Sequence, residues 1–149
     1  WAQQTLEHET TLTLNDLRDL ADVYYGPNDM GAAISSGSFQ TDGMVIMPCS
    51  TRSVGAIAHG IGEHLVHRAA DVVLKERRKM VMVVRETPLS EIHLENLLKL
   101  SQYGAVILPP SPGFYHHPQQ IGDLVDFVVA RILDQLRIPH TLMRKWGEK

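Results

Sequence analysis

The sequence predicts an α/β fold with a mostly parallel sheet, and three observations carry that prediction. Three short apolar runs, "MVIM" at 44–47, "KMVMVV" at 79–84 and "AVIL" at 105–108, are continuous rather than alternating, the pattern of strands covered on both faces. Stretches with helical periodicity separate them. Each run also opens into a loop of unusual chemistry, "PCSTRS", "RETPLS" or "PPSPGFYHHP", and such sheets bind ligands just past the carboxyl ends of their strands.

The elements follow in order. Residues 1–9 have helical propensity without a capping residue ahead of them. "TLNDLRDLAD" predicts a short helix capped by Asn15 or Asp16. "YYGPND" is turn chemistry, "AAIS" reads as a short strand, and residues 36–43 form a polar loop. After the first strand, Ser50, Thr51 and Ser53 stand where a helix should start. "EHLVHRAADVVLKERR" places Leu65, Ala69, Val72 and Val73 on one side and Arg68, Lys75 and Arg78 elsewhere. "SEIHLENLLKLSQYG" predicts a helix with Ser90 as its N-cap, a mostly core leucine face and Gly104 as its stop. "IGDLVDFVVARILDQL" predicts the last long helix.

Composition bounds the function. The chain has 149 residues, enough for one domain with a sizeable core, with 44% hydrophobic and 21% charged residues. A net charge of −3 offers no bulk attraction to nucleic acid or an anionic membrane. No apolar stretch approaches the roughly 20 residues that span a bilayer. The one cysteine, Cys49, excludes an intramolecular disulfide framework and fits a reducing, cytoplasmic setting. The eight histidines form no HExxH, and His116–His117 has no carboxylate or thiol beside it to complete a metal set. There is no Walker A or GxGxxG motif.

Within the loops, two readings stay open at each point. Ser50, Thr51, Arg52 and Ser53 at a helix N-terminus suit an anion such as phosphate, or they simply cap the helix. Cys49 has no readable histidine partner and reads as a buried, inert thiol. The adjacent pair Arg85–Glu86 is a salt bridge or part of a site in which desolvation fits Glu86 for proton transfer. Lys75-Glu76-Arg77-Arg78-Lys79 is a solvated helix end or a source of cations for a phosphate.

Taken together, "SGSFQTDGMVIMPCS", "HRAADVVLKERRKMVMVVRETPLSEIHLENLLKLSQYGAVILPPSPGFYHHP" and "DLVDFVVARILDQL" resemble the UbiX family of flavin prenyltransferases over nearly the whole chain. Leu97 stands where the family usually has Met. Older descriptions call such proteins aromatic acid decarboxylases or carboxy-lyase subunits.

The resemblance implies a Rossmann-like flavoprotein fold in three layers, assembled as a homododecamer. It implies metal-independent transfer of a dimethylallyl group from dimethylallyl phosphate to reduced FMN, with the product passed to a UbiD-type decarboxylase. It assigns Glu86 and Glu9 as catalytic carboxylates, and Ser50, Thr51, Arg52, Ser53 and Arg85 to FMN. It assigns Ser36, Arg68, Lys75, Tyr115 and Arg131 to the prenyl phosphate, some from neighbouring subunits, and Trp146 to closing the site. In the family, a strand and a glycine-rich loop come first. That motif is absent from residues 1–149, so the expectation is a single flavoprotein domain lacking an N-terminal βαβ unit, about forty residues in size. Two alternatives remain: a non-catalytic FMN-binding subunit of a decarboxylase, and a flavin-dependent decarboxylase. Retention of both a proton-handling Glu86 and a second phosphate set favours the transferase.

Overall fold

The computed structural model describes residues 2–143 and 147. Its elements are α1 (Ala2–Glu9), α2 (Leu14–Asp19), a 3-10 turn (Ala33–Ser35), β1 (Gly43–Cys49), α3 (Thr51–Ala58), α4 (Leu65–Lys75), β2 (Lys79–Val84), α5 (Glu91–Gln102), β3 (Ala105–Ile107) and α6 (Ile121–Leu136). The three strands are parallel in the order β1-β2-β3. Helices cover both faces, giving three layers.

The alternation of side chains along β2 explains those layers. Met80, Met82 and Val84 face one way, into a cluster with Val54, Ile57, Ala70, Val73 and Leu100 from α3, α4 and α5. Val81 and Val83 face the other way, against Ile132, Val128 and Leu136 of α6. Every β2 residue after Lys79 is buried, so the continuous apolar run is a central strand. β1 is only partly covered, with Met47 57% exposed. Its register with β2 breaks between Ile46 and Cys49, where Pro48 has no N–H to give the ladder. Gly43 opens β1 because a Cβ there would come within 2.9 Å of the Lys79 carbonyl oxygen.

The helix boundaries follow local chemistry. Ser90 and His93 form a capping box at α5, and Gly104 ends that helix at φ +97°, a conformation that suits glycine. The structure corrects three expectations. "AAIS" is a 3-10 turn, closed by Ser35 N–H to Ala32 O at 2.9 Å and Ser36 N–H to Ala33 O at 3.1 Å; four residues without a pairing edge satisfy their backbone locally. The cap of α2 is Thr13, while Asp16 is the N3 residue that accepts the Thr13 amide at 2.7 Å. The leucine face of α5 is not mostly core: Leu100 is buried, but Ile92, Leu94 and Leu98 are 68%, 54% and 60% exposed.

Candidate functional site

Three segments far apart in sequence meet at the carboxyl edge of the sheet. The first is the start of α3. Ser50 caps it, accepting the Ser53 amide at 3.2 Å, and the Ser50 hydroxyl donates to Ser53 Oγ at 3.2 Å. The amides of the first helical turn have no carbonyl four residues back, so this end carries donors and the positive end of the dipole. The second segment is Arg85–Glu86, directly after β2. The third is Glu9, the last residue of α1.

The salt-bridge alternative for Arg85–Glu86 is not what forms. One terminal nitrogen of Arg85 lies between both Glu9 carboxylate oxygens, at 2.6 and 2.8 Å. Successive residues of an extended chain point to opposite sides, so Arg85 and Glu86 separate. The Arg85 guanidinium holds the Glu9 carboxyl below its ordinary pKa, and the hydrogen bond that Arg85 donates to Glu9 raises that of Arg85. Glu86 instead accepts the Thr51 hydroxyl at 3.5 Å and its neighbour's amide, Thr87 N–H, at 3.2 Å. Thr51 thereby links α3 to the loop after β2. Arg52 turns away to Glu63, at 3.0 Å, and is well exposed.

Cys49, beneath this edge, is 1% exposed, and burial pushes its thiol up to about 12. It is protonated and unreactive at neutral pH. Among the described residues, no three His, Cys, Asp or Glu side chains converge as a metal set.

The residues assigned to the prenyl phosphate fall into two groups. Ser36, Arg68 and Lys75 lie on the α4 side. Arg68 Nε donates to Ser35 O at 3.1 Å and its NH1 pairs with Asp71 at 2.9 Å. Ser36 Oγ meets Ser38 Oγ at 2.9 Å, and Lys75 pairs with Glu76 at 3.2 Å beside Gly37. Arg78 fastens the same loop, donating to Gly37 O at 2.6 Å and Phe39 O at 2.7 Å. Tyr115 and Arg131 lie on the α6 side. The Tyr115 ring meets Phe127 edge-on at 5.8 Å. Arg131 pairs with Asp134 at 2.6 Å and lines a cavity of about 300 Å³ between β3 and α6. Since α4 and α6 cover opposite faces, one chain does not bring the two groups together. Trp146 lies outside the described residues.

Residue spacing missed one side chain at this site and one at the far end of α3. His67 is buried, with Nε2 3.2 Å from Ser53 Oγ; the available signal was a histidine on the apolar side of an amphipathic helix. Asn96 meets His59 at 3.0 Å and ties α5 to the end of α3.

A flavin is the cofactor that the sequence resemblance implies, and the residues fit one. The start of α3 offers three hydroxyls and a helix N-terminus for phosphate or ring oxygens, and Arg85 adds a cation beside them.

The sequence matches the flavoprotein family over residues 2–133. A probable UbiX-like flavin prenyltransferase of Streptomyces sp. (strain D7) is 57% identical over 147 residues, 99% of this chain and 74% of that protein. The crystal structure of AnUbiX (PadA1) in complex with FMN and dimethylallyl pyrophosphate superposes with a TM-score of 0.97 at 46% identity, covering 100% of this chain and 79% of that one. A dodecameric FMN-dependent UbiX-like decarboxylase from Escherichia coli O157:H7 superposes with a TM-score of 0.96 at 51% identity, covering 99% and 80%. The chain belongs to the flavoprotein family and, within it, to the UbiX-like flavin prenyltransferases.

Proposed function

We propose that this chain transfers a dimethylallyl group from dimethylallyl phosphate to reduced FMN, making the prenylated flavin used by UbiD-type decarboxylases. The observation that carries the reading is the convergence of Glu9, Thr51 and the Arg85–Glu86 pair at one sheet edge. The AnUbiX structure supports it through its two ligands; its diphosphate donor has the same dimethylallyl group.

In this reading Ser50, Thr51, Ser53 and Arg85 hold FMN, and Arg52 of the same segment does so only after leaving Glu63. When bound in reduced form, the flavin supplies the nucleophilic N5 and C6 positions that take the prenyl group. Arg68, Lys75 and Arg131, with Ser36 and Tyr115, hold the prenyl phosphate. Their cations stabilise the charge that builds on the leaving phosphate. Arg presents a planar fork and Lys a point charge, two complementary ways to grip its oxygens. Aromatic faces such as Tyr115 favour a developing prenyl cation. Glu86 would relay protons at a carboxylate oxygen, taking the one released from C6 on ring closure and giving one to the prenyl double bond whose carbon forms the new bond. Glu9 keeps Arg85 oriented toward the cofactor.

The two-sided distribution of the phosphate ligands supports a site completed by a second copy, in a homododecamer like that of the Escherichia coli relative. We place the reaction in the cytoplasm. The test is anaerobic incubation of the protein with reduced FMN and dimethylallyl phosphate, followed by mass analysis of the flavin. A gain of one prenyl unit is expected, and an unchanged flavin mass sinks the reading.

A further inference from the structure

His67 is the one polar residue among the fully buried described residues, 2% exposed on the apolar side of α4. Such positions are ordinarily filled by hydrocarbon, and the flavin reading above does not use it. His64 and Ser53 both lie against its ring. His64 lies against one face, with centroids 3.8 Å apart. Ser53 Oγ lies 3.2 Å from Nε2. The other ring nitrogen, Nδ1, is buried without a hydrogen-bond partner among the described residues.

That asymmetry favours one tautomer. A neutral imidazole has one N–H and one acceptor nitrogen. A buried orphan N–H is costlier and rarer than an orphan acceptor. The proton therefore belongs on Nε2, and the ring donates to Ser53. Burial holds the ring neutral by lowering its pKa, helped by His64 and by Arg52 of α3 and opposed by Glu63. The Ser53 hydroxyl has two acceptor positions and one proton. The Ser50 hydroxyl fills one acceptor position at 3.2 Å, and Nε2–H of His67 fills the other. Both inward positions are then occupied, and the Ser53 proton is left to point out of the cluster.

We propose that His67 is a positioning residue for the flavin: by donating from Nε2 it turns the Ser53 hydroxyl proton outward, to an acceptor on the bound cofactor. This rests on the reading of Ser50–Ser53 as flavin ligands. The role needs a donor at the Nε2 position, which Gln reproduces and Met, similar in size, does not.

The test is FMN titration by fluorescence on the full chain. H67M is expected to weaken FMN binding about tenfold, the worth of one hydrogen bond, with H67Q close to wild type. Adding H67M to S53A is expected to cause no further loss, because both act through one hydroxyl. Equal losses in H67Q and H67M, or an H67M chain that binds FMN like wild type, overturn the proposal while leaving the flavin reading intact. A wild-type chain that leaves FMN unbound overturns both. Independently of any variant's folding, the nitrogen NMR spectrum of wild type is expected to show His67 protonated at Nε2, and protonation at Nδ1 alone refutes the assignment.

Discussion

Arg85 and Glu86 are neighbours in sequence and part company in space, and their separation defines two experiments. Arg85 pairs with Glu9, which leaves the Glu86 carboxylate to Thr51 and, in the proposed mechanism, to proton transfer. Glu86→Gln is expected to retain FMN binding and to slow prenyl transfer about 10²- to 10⁴-fold, the usual reach of one acid–base group. Single-turnover mass analysis measures it, and unchanged turnover removes Glu86 from the mechanism. A second experiment concerns His67. Its pKa lies below the ordinary 6.5 in the folded chain, so the neutral ring favours folding. That contribution is complete above 6.5 and is lost as pH falls from there through the lower folded value. Denaturant unfolding at about pH 7.5 and about pH 5 is expected to show wild type losing more stability in acid than His67→Gln, which carries no titrating group there. Neither Glu9 nor His67 was legible as a contact. Glu9 lies 76 residues from Arg85, a distance that spacing cannot bridge, and the buried Ser53–His67 contact depends on how α4 packs on α3.

Secondary-structure elements were easier to read than their surroundings. β2 and α6 begin and end where the apolar run and the helical period do, because each pattern matches one backbone geometry throughout. Ser90 is legible as a cap for a local reason: its hydroxyl meets an amide three residues on, the His93 N–H at 3.3 Å. Ser90→Ala is expected to cost about 1 kcal/mol of unfolding free energy, measured by denaturant titration. Leu100 reaches the buried cluster under α5, and Leu100→Ala is expected to cost about 2 to 5 kcal/mol. What periodicity does not tell is the covering partner. It marks Ile92, Leu94 and Leu98 as apolar, and within one chain they face outward. The same limit misread "AAIS", where four small residues are compatible with strand or turn and only the neighbouring segments decide.

At the scale of the whole molecule, exposed apolar residues gather at the periphery. Leu94 and Leu98 stand one helical turn apart on α5, and Leu20 and Val23 follow α2 at 82% and 61% exposure. Patches of this kind mark protein interfaces. Leu94→Asp with Leu98→Asp is expected to shift the proposed oligomer to smaller species by light scattering, and an unchanged mass excludes that face from the interface. The division of the residues proposed to hold the prenyl phosphate between the α4 and α6 faces has a genetic corollary. If each site borrows one group from a neighbour, an Arg68→Ala chain and an Arg131→Ala chain fail for different reasons. Each is inactive alone. Co-assembled in equal amounts, they rebuild about a quarter of the sites with both arginines present, so two defective alleles expressed together restore activity that neither supports by itself.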